Sequence, residues 1–278
     1  MQLYETDYAS RMIYKNKKPY RMFVDIIVIN ITSERRSILQ KQFDELHIPF
    51  NVKFMEATTP ATAGNYLPIH CESQRAKIIC CARSHCLAIE LAGNSLAADF
   101  TIIMEDDVAL HKTAFVPMVN ELVERWDTIM PEKESSMVSL GWIPCNNYAT
   151  YLPAKSSIAF ASKSDAKFLR DRFAPGLQAY MVRREAAHKL TPFIVHDTFD
   201  AFYNHFRTNP VPFLDLKNEL EAIDHIVPRL LLQTVLFPPI AIEMPLKSML
   251  EHDNQTLYWT PYFKGYEHLR DEYWSNSL

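Results

Sequence analysis

Three consecutive carboxylates, Glu105, Asp106 and Asp107, stand directly behind the apolar run Phe100-Thr101-Ile102-Ile103-Met104. Like charges this close oppose one another's ionisation unless a cation or a set of hydrogen-bond donors neutralises them. The chemistry open to such a group is divalent-metal binding. Hard ions such as Mg²⁺ and Mn²⁺ prefer oxygen ligands, take one or two protein carboxylates and leave their other positions to water and substrate phosphates. A charged turn after a strand is the plainer reading of any acidic triplet, because surface carboxylates are common. Position favours the metal, since open α/β sheets bind ligands beyond the carboxyl ends of their strands.

The elements that must position this triplet follow from periodicity. Val24 to Ile31 is a near-continuous apolar run and reads as a central strand, followed by a helix from Ser33 to about Leu46 with Ser33 or Thr32 as its cap. A second strand is expected over Phe50 to Ala57, a helix from about Ser73 to Ala92, the Phe100 strand, a helix from about Thr113 to Trp126, and a short strand from Met137 to Leu140. This β-α alternation with apolar strands predicts an α/β fold, a mostly parallel sheet with helices on both faces. The later portion is irregular. A strand from Gly176 runs into a helix near Arg183, helical segments are expected at His196 to Phe206 and Glu219 to Leu232, and Thr234 to Met244 reads as an edge strand or extended segment because Pro238 and Pro239 interrupt it. Lys163, Lys167, Arg170 and Arg172 are spaced to share one helical face.

Composition narrows the function classes. The 278 residues are 48% hydrophobic and 22% charged, enough for one large domain, which we place at 22–250 between a polar arm at 1–21 and a carboxyl-terminal segment at 251–278 that packs on it. A net charge of -4 argues against a nucleic-acid partner. Lys15, Lys17, Lys18 and Arg21 leave peripheral membrane contact open as one reading of the arm, a partly ordered terminus being the plainer one. No secretory signal or membrane span is legible, and five cysteines form no disulfide or zinc pattern, so a cytoplasmic location is expected. With glycine only at 64, 93, 141, 176 and 265, neither a GxGxxG turn nor a GxxxxGK[ST] loop can be drawn. A bound nucleotide would need a cation at the acidic triplet as counter-charge.

Three separated segments then match a known pattern. VDIIVINITSERRSIL, RAKIICCARSHCLAI and FTIIMEDDVAL resemble, in order and spacing, the start of glycosyltransferase family 25, the lipooligosaccharide and procollagen galactosyltransferase type, and GLQAYMVRREAAHKL resembles its downstream Gly-x-x-Ala-Tyr block. The resemblance runs from about Val24 to Leu190. It implies a GT-A-like fold, a UDP-sugar donor, Mn²⁺ (or Mg²⁺) dependence, inversion at the anomeric carbon, and a glycan, glycolipid or protein acceptor. Carried over by residue, it implies Asn30, Arg35 and Arg36 on the nucleotide side, Ser84 and His85 as the Ser-His pair, and Asp107 as the direct metal ligand. Glu105 is implied as a further ligand or, with Asp106, as a contact through water, ribose or sugar hydroxyls. His252 would complete the metal site and Asp224 would be the catalytic base, with Asp197 and Asp200 as rival matches. The family's Gly-Cys-Ala-x-Ser-His stands here as Cys80-Cys81-Ala82-Arg83-Ser84-His85, without the glycine.

The residues also carry plainer readings. His85 shares a helical stripe with Ile78, Ala82 and Ile89, which fits a core histidine. Cations at Arg35 and Arg36 sit at the unfavourable end of a helix dipole, which hints at an anionic ligand. Cys80, Cys81 and Cys86 read as helix packing, and Cys81 with His85 is too little for zinc. Rival functions are a nucleotidyltransferase, which would be expected to show a phosphate-gripping glycine loop, a glycoside hydrolase, which needs two opposed carboxylates and no nucleotide, and a catalytically silent sugar-nucleotide or interaction module.

Overall fold

The computed structural model describes residues 22–129, 136–141, 167–169, 176–209, 223–231, 233–237 and 239–244. In chain order the strands are β1 (Val24–Asn30), β2 (Asn51–Glu56), β3 (Phe100–Glu105), β4 (Val108–Leu110), β5 (Met137–Gly141), β6 (Lys167–Leu169), β7 (Ala179–Arg183), β8 (Thr234–Phe237) and β9 (Ala241–Glu243). The helices are α1 (Ser33–Glu45), α2 (Ser73–Asn94), α3 (Phe115–Ile129), α4 (Arg184–Ile194), α5 (Phe199–Thr208) and α6 (Ile223–Leu230). Seven strands form one sheet in the order β2-β1-β3-β7-β5-β8-β6, and β4 pairs with β9 in a separate ribbon. β1 is parallel to β2 and β3, and β5 to β8, whereas β7 runs against both β3 and β5, and β6 against β8. The sheet is therefore mostly parallel, with β7 and β6 reversed.

Burial on both sides explains the unbroken apolar strands. Along β1 and β3, Ile27, Ile29 and Ile103 enter one core with α2, α4, α5 and α6, while Ile26, Val28, Ile102 and Met104 enter the other with α1 and α3. Each fully buried aliphatic side chain is worth about 1.5–3 kcal/mol, so neither face tolerates a register slip. No described helix is long and apolar enough to cross a membrane.

α2 lies unusually close to α4, and Gly93 is the reason. A Cβ there would stand 2.6 Å from the His188 backbone nitrogen and 2.7 Å from its Cα. Backbone cannot step aside as a side chain can, so Gly93→Ala should lower stability by about 1–3 kcal/mol in denaturant unfolding, the usual range for overpacking. Unchanged stability would show that the two helices separate freely.

The structure departs from expectation in three places. β8 is not an edge strand, since it lies between β5 and β6; it ends at Phe237, and the chain pairs again as β9 in the separate ribbon, so one expected segment is two strands in two sheets. Lys167 belongs to β6, so the basic residues do not form one helical face; Lys163, Arg170 and Arg172 lie outside the described residues. β4 was not expected, because its three residues are too few to show a period. The arm 1–21, the segment 251–278 and residues 219–222 and 232 also lie outside the described residues.

Candidate active site

β3 delivers the acidic triplet to the carboxyl end of the sheet, where α1 begins beside it. Thr32 caps α1, its Oγ1 accepting the Arg35 N–H at 3.2 Å. From the first turn Arg35 reaches across, and its Nη1 donates to Asp106 Oδ1 at 3.1 Å and to Asp107 Oδ2 at 3.0 Å. Asp106 is fully buried, and its second oxygen accepts the Ile31 N–H at 2.6 Å. The cation at this helix start thus has anionic partners within the protein itself. Three further bonds fix the backbone: the Gln178 carbonyl accepts from Glu105 N–H, the Asp107 carbonyl accepts from Met244 N–H, and buried Gln42 on α1 both donates to the Val108 carbonyl and accepts from Leu110 N–H.

Glu105 looks the other way, towards α2. His85 is buried, with Nε2 3.2 Å from Glu105 Oε1 and Nδ1 3.3 Å from the Tyr180 hydroxyl on β7. A carboxylate only accepts, so Nε2 donates, and a neutral ring then accepts the tyrosine proton at Nδ1. Neighbouring Ser84 accepts the Thr58 N–H at 2.8 Å and donates to the Cys80 carbonyl, pinning the loop after β2 to α2. The triplet is therefore split: Asp106 and Asp107 engage α1, and Glu105 engages α2.

Among the described residues one guanidinium, Arg35, is bonded to the triplet, which does not balance three carboxylates. Burial, with Glu105 next in effect, pushes Asp107 up to about 7, and burial also raises Asp106 despite its donors. Arg35 is itself raised, the loss of solvation being outweighed by Asp107 and Asp106. Asp107 Oδ1 is buried and accepts no hydrogen bond among the described residues. A buried carboxylate oxygen left without a donor, in a corner with two further carboxylates, is the kind of atom a hard divalent cation takes.

A pH dependence follows. Between about pH 4 and 7 the unfolded chain has released the Asp107 proton while the folded chain keeps it, so the unfolded state binds fewer protons and stability falls as pH rises, by on the order of a few kcal/mol. Urea unfolding in chelator at pH 5 and pH 7.5 should show this loss in the wild type and a smaller one in Asp107→Asn. Equal losses in the two would show that Asp107 does not titrate in this window.

The model of glycosyltransferase family 25 (LPS biosynthesis protein) matches residues 23–198, well over half of the chain. The chain belongs to glycosyltransferase family 25. No curated protein matches it. Among solved structures, a glycosyltransferase involved in glycosylating the major capsid of PBCV-1 is similar at 9% identity and a TM-score of 0.40, covering 90% of this chain and 99% of that one. The galactosyltransferase LgtC in complex with donor and acceptor sugar analogs is similar at 9% identity and a TM-score of 0.41, covering 90% and 95%.

In this family 25 glycosyltransferase the residues expected at the site do not all converge. Arg35, Glu105, Asp106, Asp107 and His85 do, and Asn30 ends β1 beside them with its Oδ1 buried and unpartnered. Arg36 does not: it is exposed, its guanidinium 4.5 Å from the centre of the Phe54 ring on β2. Asp224 is in α6, but its side chain lies outside the described residues, as does all of His252. Asp197 and Asp200 are both exposed, Asp200 in the first turn of α5. Sequence reasoning missed Gln178 and Tyr180 as neighbours of Glu105. Their strand runs antiparallel to β3, a pairing that no local pattern encodes, although both sit in the Gly-x-x-Ala-Tyr block.

Proposed function

We propose that this glycosyltransferase moves a hexose, galactose or glucose, from a UDP-sugar to a hydroxyl of a glycan, glycolipid or protein acceptor, with inversion, in a GT-A-like site at the tips of β1 and β3. The observation that carries the reading is the buried, unpartnered Oδ1 of Asp107 beside Glu105. A divalent ion, Mn²⁺ or Mg²⁺, would supply Lewis-acid stabilisation of charge on the departing diphosphate. Asp107 and Glu105 would hold it, with His252 as the third protein ligand.

The chain's own residues have distinct tasks in this reading. Arg35 and the Ile31 N–H hold Asp106, so Asp106 anchors α1 to the strand tip while Asp107 keeps one oxygen free of Arg35. Asn30 would lie on the nucleotide side, where its amide would meet the uridine or ribose. Ser84 fixes the loop that borders the site, and His85 orients Glu105. Asp224 would accept the acceptor hydroxyl's proton as the oxygen attacks the anomeric carbon and UDP leaves; general-base help of this kind is worth roughly 10²- to 10⁴-fold.

Release of UDP from UDP-galactose, UDP-glucose and their N-acetyl relatives, with and without Mn²⁺, tests the proposal. Mn²⁺-dependent UDP release that falls in Asp224→Asn with donor binding intact is the expected result. Release of pyrophosphate instead, or metal-independent cleavage of a glycoside without nucleotide, would overturn it.

A further inference from the structure

Cys81 and His85 are separated by one helical turn and share a face of α2. Cys81 Sγ, a His85 ring nitrogen and a Glu105 carboxylate oxygen all lie within 4.8 Å of one another, the one such group of three among the described residues. We propose that Cys81, His85 and Glu105 form a zinc site that competes with the hard-ion site for Glu105, so that zinc acts as an inhibitor of transfer. This regulatory role rests on the proposed function; the zinc site itself does not.

The ligand set selects the ion. Thiolate and imidazole favour zinc, whereas Mn²⁺ and Mg²⁺ favour oxygen, so the two sides of the strand tip prefer different metals. Zinc with bonds of about 2.0–2.3 Å needs ligand atoms roughly 3.5 Å apart. Cys81 and Glu105 are both partly exposed, so their side chains can close inwards by the remaining ångström. Ligation would release the thiol proton to solvent.

The surroundings of His85 match what a metal-bound histidine requires. Such a ring donates its other N–H to a fixed oxygen, which sets the tautomer. The Tyr180 hydroxyl stands 3.3 Å from Nδ1, on a fully buried side chain that burial keeps un-ionised. With zinc on Nε2, Nδ1 would carry the proton and donate to that hydroxyl. The other cysteines on this helix are differently placed: Cys80 and Cys86 belong to the core, and burial pushes their thiols up to about 11 and about 12. Cys81 is the helix's cysteine on the site. Because zinc seated there takes the Glu105 oxygens, it leaves Asp107 without its neighbouring ligand.

Cobalt(II) reports on the site directly, since a tetrahedral cobalt thiolate absorbs strongly in the near ultraviolet. Titrating the full chain with Co²⁺ should raise this band, and Zn²⁺ should bleach it. The band should vanish in Cys81→Ser and persist in Asp107→Asn, and Tyr180→Phe should weaken zinc binding about 10- to 100-fold. No band in the wild type, or a band surviving in Cys81→Ser, overturns the site. For the regulatory role, the ratio of Mn²⁺-supported turnover with and without zinc should fall in the wild type and stay near one in Cys81→Ser; equal inhibition of both refutes it. A missing band with intact Mn²⁺-dependent turnover refutes the zinc site alone. A Cys81-dependent band in a chain that releases no UDP upholds the site and removes the UDP-sugar reading.

Discussion

Asp107→Asn should lower turnover by roughly 10²- to 10⁴-fold, the equivalent of about 3–5 kcal/mol of metal-derived barrier lowering. The substitution keeps the volume of the side chain and an oxygen for Arg35, and it removes only the charge. Because burial and Glu105 already push Asp107 up to about 7, the neutral amide relieves a strain in the apo protein. Stability at pH 7.5 should therefore be unchanged or higher while activity is lost. Steady-state kinetics at saturating Mn²⁺, beside urea unfolding of the same preparation, separates the two effects. Turnover within threefold of wild type would mean that the reaction proceeds without this carboxylate.

Arg35→Ala has the largest expected effect on folding. Arg35 is 8% exposed and its Nη1 bonds both Asp106 and Asp107, so its removal strands two buried carboxylates. Breaking a buried pair by deleting one partner usually costs about 3–5 kcal/mol, more than the pair itself contributes, because the remaining charge stays desolvated. Arg35→Lys should recover only part of this, since an ammonium is more strongly hydrated than a guanidinium and costs more to bury. Combining Arg35→Ala with Asp107→Asn should cost less than the sum of the single losses, because the neutral amide no longer needs the cation. Denaturant midpoints measure all of these. A loss below about 1 kcal/mol for Arg35→Ala would show that water reaches the carboxylates.

The sheet was legible because its central strands are buried on both faces and carry long apolar runs, as at Val24–Asn30 and Phe100–Glu105. Helix starts were legible where a cap residue marked them, as Thr32 does for α1. The placing of β7 was not, because pairing direction depends on contacts between residues far apart in the chain: Tyr180 lies opposite Ile103. The same limit applied to the site. The acidic triplet stood out by residue type and position, whereas Arg35 and His85 were implied by the family resemblance, periodicity alone favouring a core histidine. That Arg35 serves Asp106 and Asp107 while His85 serves Glu105 depends on which helix covers which face of β3. Arg36 illustrates the cost of reading adjacent residues alike: neighbours on a helix diverge by about 100°, and this one turns to Phe54. Cys81 was set aside because two ligands on one helix are too few for zinc; the third comes from a strand.

The central claim is that Asp107 captures a divalent ion that also grips the nucleotide diphosphate. Titration calorimetry of Mn²⁺ with and without UDP, and of UDP with and without Mn²⁺, tests it most directly. The account predicts that each ligand tightens the other by the same factor, as linkage requires, and that this coupling disappears in Asp107→Asn. UDP affinity that ignores Mn²⁺, or coupling that survives the substitution, would contradict it.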